Sequence, residues 1–131
     1  METSESEDKV LYRELSYEVV GVLFDVYNEV GYGHREKHYE NAVAIGLEKR
    51  RLRYQRQLYS EVLYEGKTIG KYFFDFLIES AIVLELKQGN TFSKQHIEQV
   101  YSYLKASNLK LGIIAQFTNK AVKCRRVLNL Y

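Results

Sequence analysis

Apolar residues recur every three or four positions early in the chain, at Leu11, Leu15, Val19, Val22, Val26 and Val30. That spacing predicts a helix from about Asp8, and Gly31-Tyr32-Gly33 supplies its stop. A second helix is predicted over 35–51, with Tyr39, Val43 and Leu47 on one face and Ala42 and Ile45 widening it. Gly46 within it weakens the helical preference. The period then changes. Gln57–Tyr64, Thr68–Ile78 and Ala81–Lys87 read as strands, joined by turns at Glu65-Gly66-Lys67 and Glu79-Ser80. Links this short imply an antiparallel meander. Phe92–Ser107 follows as a helix with Ile97, Val100, Tyr101 and Leu104 on its apolar side. Lys110–Gln116 reads as a short buried strand, and Asn119–Leu128 as a last helix capped by Asn119. The order α-α-β-β-β-α-β-α predicts one α/β domain, a mixed sheet with an antiparallel meander flanked by helices. Residues 1–7 read as a flexible acidic start, and 8–131 as the domain.

Composition narrows the class. A chain of 131 residues accommodates one domain and can bury about two-thirds of its unfolded surface. Hydrophobic residues make up 46% and charged residues 27%, which argues against overall disorder. Cys124 has no cysteine partner, so a disulfide framework and a multi-cysteine metal site are both excluded. No apolar run approaches a membrane span, and the acidic opening METSESEDK is unlike a signal peptide, so a cytoplasmic location is expected.

Charge changes the picture through its distribution. The net +2 conceals a leader (1–18) with six acids and two bases, followed by a remainder with 17 bases and 11 acids. Lys49, Arg50, Arg51, Arg53 and Arg56 crowd into eight residues. They read either as a phosphate-backbone contact or as a solvated helix end, where cations complement the negative terminus.

Two acids sit where acids do not belong. Ala81–Leu86 is an apolar run broken by Glu85, and Asp75 interrupts YFFDFLI. An ionised carboxylate buried without compensation costs several kcal/mol, about as much as a domain can spare. Val83, Glu85 and Lys87 alternate onto one strand face, and a tight hairpin can bring Asp75 beside them. Lys87 would compensate Glu85 as an ion pair. A divalent cation is the other solution: Mg²⁺ prefers oxygen, and two carboxylates with the Leu86 carbonyl suit it. Lys87 beside that ion would orient or deprotonate a water, or balance charge on a phosphate.

Asp75, Glu85, Leu86 and Lys87 within this element order resemble the PD-(D/E)XK nuclease superfamily. Gly33-His34-Arg35-Glu36-Lys37-His38-Tyr39 is similar to the Gly-x-x-Glu-x-x-Tyr motif of its GxxExxY branch. Gln57, Tyr64-Glu65-Gly66-Lys67, His96, Gln99, Tyr103, Leu104 and Gly112 follow that family's order, so the resemblance covers about residues 12–128. It implies a restriction-endonuclease-like core and a Mg²⁺- or Mn²⁺-dependent nuclease hydrolysing DNA. Asp75, Glu85 and the Leu86 carbonyl would be metal ligands assisted by Glu36, and Lys87 the catalytic lysine. Gln99 and Tyr103 match the Gln-x-x-x-Tyr pattern of RecB-type nucleases and would line the substrate side with His96. Lys49, Arg50, Arg51, Arg53 and Arg56 would grip flanking phosphates. The first motif departs from the family's Gly-Pro-Gly: Tyr32, His34 and Arg35 make the approach to Glu36 more polar and cationic.

Three other readings stand beside this one. A Holliday-junction-type resolvase would act on branched DNA as a homodimer. A non-catalytic nucleic-acid- or protein-binding module would keep the fold alone. A structural α/β domain would explain the acids as buried ion pairs. Nucleic acid, DNA ahead of RNA, is the expected partner.

Overall fold

A computed structural model of the chain describes residues 12–91 and 93–130. The acidic start at 1–7 and the expected first turn from Asp8 lie outside the described residues. Two helices, α1 (Arg13–Val30) and α2 (Glu36–Lys49), precede the meander β1 (Tyr54–Tyr64), β2 (Lys67–Ile78) and β3 (Ile82–Gln88). Helix α3 (Lys94–Ser107) then crosses to β4 (Leu111–Phe117), and β5 (Val122–Leu128) is the last element among the described residues. The strands pair in sequence order, antiparallel throughout except β3 with β4, which are parallel. The α/β class with a mixed sheet is as the sequence pattern predicts.

Helices α1 and α2 cover one sheet face. Val19, Leu23, Val43 and Leu47 pack there on Phe76, Leu84, Leu86, Ile113 and Phe117. Helix α3 covers the other face, with Val100 and Leu104 against Phe74, Val83, Ile114 and Val127. Coverage on both faces explains the near-continuous apolar runs of β3 and β4. Gly46 now has a reason: a Cβ there would stand 2.6 Å from Val22 Cγ1, so glycine permits the close approach of α1 and α2.

The expected final helix is instead β5. Every residue of β4 is buried, and without β5 one of its edges would present unpaired backbone groups. Residues 122–128 cover that edge by pairing along its whole length. A turn locks the reversal, with the Thr118 hydroxyl donating to Ala121 O (2.7 Å) and the Thr118 N–H donating to the same carbonyl (2.9 Å). Within 119–128, read as helical, only Val122 and Val127 are buried, and Lys123 to Arg126 are exposed. Tertiary pairing overrides the local pattern.

Strand β2 also departs from regular alternation. Phe76 and Ile78 belong to the core under α1 and α2, yet Phe74, of the same parity, belongs to the core under α3. A regular strand cannot send residues of one parity to both faces, so the chain switches faces between Phe74 and Phe76. Opposite this switch, Gln57 has a left-handed φ of 56°, and the pairing passes from Arg56↔Phe76 to Leu58↔Phe74 without a Gln57↔Asp75 pair. Beyond that kink β1 and β2 continue as a hairpin arm. The pairing of β2 with β3 stops at Phe76↔Leu84.

Candidate active site at the strand fork

The end of the β2–β3 ladder forms a fork, and the two anomalous acids occupy it. In place of backbone pairing, each carboxylate takes a backbone donor from the other strand. The Asp75 N–H donates to Glu85 Oε1 at 3.0 Å, and the Leu86 N–H donates to Asp75 Oδ2 at 2.7 Å. These bonds satisfy two amides that the divergence would otherwise leave bare. Because N–H and C=O of one strand residue point to the same edge, the Leu86 carbonyl also faces the fork. Lys87 Nζ lies 3.5 Å from Glu85 Oε2.

Burial sets the electrostatics. Glu85 is only 4% exposed; burial foremost, then the neighbouring Asp75 charge, pushes its carboxyl from 4.5 up to about 8. Asp75 is also raised, by burial first and by Glu40, against the lowering effect of the Leu86 N–H. The pair therefore retains a proton near neutral pH. Burial alone would lower Lys87, but the charges of Glu85, Tyr72 and Glu36 outweigh it and the ammonium titrates above its ordinary value. Lys87 is a cation here, not a base.

Helix α2 delivers two carboxylates to the rim. Glu36 Oε2 accepts from the Gln88 N–H at 3.0 Å, at the end of β3 next to Lys87. Its position depends on the loop before it. Gly31 has a φ of 75°, and its carbonyl accepts from the Tyr39 hydroxyl at 2.6 Å. Tyr39 is fully buried and stacks on Phe117 with centroids 4.0 Å apart. The tyrosine of the Gly-x-x-Glu-x-x-Tyr motif is thus a core brace that fixes where Glu36 emerges.

Glu40, one turn after Glu36, was not singled out by the sequence pattern. It is 4% exposed and accepts from Arg56 Nε at 2.9 Å and Gln57 Nε2 at 3.1 Å. The same Gln57 amide reaches Asp75 Oδ1 at 3.5 Å. The available signal was the i, i+4 spacing from Glu36, which places both acids on one helix face. Gln116 was also missed: its amide, buried in β4, donates to the carbonyls of Gly89 and Thr91 and anchors the chain leaving Lys87.

Of the basic cluster, Arg56 comes to the rim of the fork and the others do not. Arg50 bridges Glu18 and Asp25 at 2.9 and 3.0 Å, Arg53 binds Glu79 at 3.0 Å, and Arg56 binds Glu40 at 2.8 Å. Lys49 and Arg51 are exposed at the far end of α2, about 20 Å from Glu36 by helix rise. On α3, His96 lies within reach of the charges of Lys87 and Glu36, and Gln99 and Tyr103 line a cleft beside Phe74. His96 is lowered by burial and by Lys87, and Tyr103 packs on Phe74 at 4.8 Å. Among the described residues no group of three or more His, Cys, Asp or Glu lies together as a ready cation cage. Asp75, Glu85 and a carbonyl are the oxygen donors the fork offers, a hard set suited to a cation that keeps its own waters.

This arrangement can be compared with known proteins. The family model described as the PD-(D/E)XK nuclease superfamily matches residues 13–127. The chain belongs to the PD-(D/E)XK nuclease superfamily. Its fold resembles the crystal structure of SSO0001, with a TM-score of 0.56 and 17% identity, covering 93% of this chain and 61% of that one. It also resembles an alkaline exonuclease from Laribacter hongkongensis, with a TM-score of 0.51 and 10% identity, covering 98% of this chain and 72% of that one. The chain thus spans about three-fifths of SSO0001. No curated protein matches. Superfamily membership accounts for the α-β-β-β-α-β core. No helix among the described residues is long and apolar enough to cross a membrane.

Proposed function

We propose that this chain, a member of the GxxExxY branch of its superfamily, is a Mg²⁺- or Mn²⁺-dependent nuclease that hydrolyses DNA phosphodiester bonds. The observation that carries the reading is the fork itself: the buried Glu85 and the half-buried Asp75 each accept a backbone N–H of the other strand, with a lysine 3.5 Å from Glu85. A purely structural pair would gain more from apolar replacements of similar volume. Asp75, Glu85 and the Leu86 carbonyl would hold the ion, with Glu36 assisting. A divalent ion bound there lowers the pKa of a water and offsets charge on a scissile phosphate.

The chain's own groups do the positioning. Lys87, held as a cation, donates hydrogen bonds to the attacking water and stabilises charge building on the phosphate. Gln57 and Glu40 keep Asp75 turned toward the fork. His96, Gln99 and Tyr103 line the side from which substrate approaches. DNA is the proposed substrate, with RNA as the comparison.

The test incubates purified protein with single-stranded, duplex and branched DNA and with RNA, in Mg²⁺, Mn²⁺ or EDTA. Cleavage should require the ion and fall more than about a hundredfold in Glu85→Ala, beyond the 10–100-fold typical of groups one shell removed. Cleavage unchanged by Glu85→Ala would assign the activity to another site or a contaminant. No cleavage of any substrate would favour a non-catalytic module.

A further inference from the structure

Between the hairpin arm and α3 lies a cleft of about 450 Å³, lined on one side by Val62, Tyr72 and Phe74 and on the other by Gln99, Ser102 and Tyr103. It adjoins the fork. Phe74 immediately precedes Asp75, and Tyr72 is close enough to feel the charges of Lys87, Glu85 and Asp75. Its floor is aromatic. Tyr72 and Phe74 lie 4.9 Å apart between ring centroids, and Phe74 and Tyr103 lie 4.8 Å apart, both pairs tilted at 41°.

Three features select the occupant. No lysine or arginine lines the cleft among the described residues, and Glu98 stands at its wall, so a phosphate has no cation to hold it there. Of the rings, Phe74 is buried, and the half-buried Tyr72 and Tyr103 offer π-surface on which a planar aromatic group can stack. Gln99 Oε1 is buried without a hydrogen-bond partner among the described residues, so a polar group entering beside it gains a bond that the folded chain lacks. A neutral, planar group with polar edges meets all three conditions.

We infer that this cleft takes an unpaired nucleobase of the strand whose phosphate lies at the Asp75–Glu85 fork. The inference rests on the nuclease reading above and narrows it to single-stranded segments, frayed ends or flaps. A base inside a duplex is stacked and paired, and cannot enter a slot walled by a helix and a hairpin. Apart from Arg56, already paired with Glu40 at the rim, the basic cluster lies away from the fork, which fits the same view: the substrate is held near the cut by its bases as well as by its phosphates.

Binding is measured by fluorescence anisotropy in Mg²⁺ with the full chain carrying Glu85→Gln, so that the probes survive. The probes are a labelled single strand of about 20 nucleotides, longer than the site of a single small domain, the same backbone with consecutive abasic sites, and the blunt duplex. Stacking predicts that the intact strand binds at least about tenfold more tightly than either control. Ser102→Trp, at an exposed helix position, should fill the cleft and bring the intact strand down to the abasic level. Tyr103→Leu is the second variant, with thermal melting to show that both fold. Equal affinity for intact and abasic strands overturns the inference and leaves the cleft to an apolar side chain of a protein partner. If wild-type protein cleaves nucleic acid while the two strands bind alike, the nuclease reading survives and only the base cleft is lost. If nothing is bound and nothing is cleaved, the nuclease reading fails as well.

Discussion

Two groups of charges stood out along the chain, the bases of 49–56 and the acids Asp75 and Glu85, and the fold treats them oppositely. Most of the bases lie on the outside and find counter-ions there, Arg50 with Glu18 and Asp25 and Arg53 with Glu79, while Arg56 turns inward to the buried Glu40. The acids lie in a strand fork with more negative charge than their surroundings neutralise, and Lys87 offsets only part of it. Surface pairs are worth little because water already screens them. Charge in a buried fork cannot be screened that way, and its cost persists until a proton or a cation relieves it. Stored electrostatic cost is the better marker of chemistry.

The largest expected contrast is with pH. Glu85 moves from 4.5 to about 8 on folding, so the folded state binds its proton more tightly than the unfolded state. That contribution to stability is complete below 4.5 and fades as pH rises through 8. Metal-free protein should therefore melt progressively lower as pH rises from about 5 to about 9, and Glu85→Gln should flatten the trend. An ion must displace that proton, so Mg²⁺ or Mn²⁺ affinity should fall about tenfold per pH unit below about 8. Isothermal calorimetry in buffers of different ionisation enthalpy would detect the released proton; pH-independent affinity without proton release would undo this account of the fork.

Gln57→Gly separates stability from function. Glycine accepts the left-handed φ of 56°, and that relief offsets part of the cost of losing the amide bonds to Glu40 and Asp75. Stability should therefore change by no more than about 1 kcal/mol. Losing the amide that joins Glu40 to Asp75 should weaken metal binding by about tenfold, as for other groups that orient a ligand. A melting temperature nearly unchanged with a loss of metal affinity supports the positioning role; a large fall in both together would reduce Gln57 to a structural residue.

On the surface side, Arg50→Ala removes two ion pairs of a side chain 29% exposed. A loss of about 0.5–1 kcal/mol by urea denaturation is expected, with cleavage unaffected. A large fall in cleavage with intact stability would return Arg50 to the substrate path. The smallest effect is reserved for Lys49→Ala with Arg51→Ala. Removing a cation that binds a phosphate lowers the salt slope of DNA binding by about one. These two cations stand far from the fork, so the slope should stay as it was. A drop of about two would show that phosphates reach the far end of α2.

Some of the site was readable before any fold was known. Asp75 and Glu85 betrayed themselves because apolar strands rarely admit acids, and the two-residue period put Lys87 beside Glu85. Gln57 was noted only by its place in a motif, since nothing in a linear pattern announces a left-handed residue in a strand. Glu40 escaped because an acid on a helix surface is ordinary; only its packing against Arg56 and Gln57 makes it buried. The basic cluster was conspicuous in sequence and dispersed in space, because its counter-ions Glu18, Asp25 and Glu79 come from distant positions.

The sequence by itself determined the α/β class, seven of the eight elements and the identity of the two misplaced acids, because periodicity and burial cost are local properties. Tertiary structure alone decided that residues 122–128 form a strand, since the open edge of β4 is what recruits them. It also decided that β2 switches faces at Asp75. That switch opens the fork, and the open fork brings two carboxylates and a lysine together.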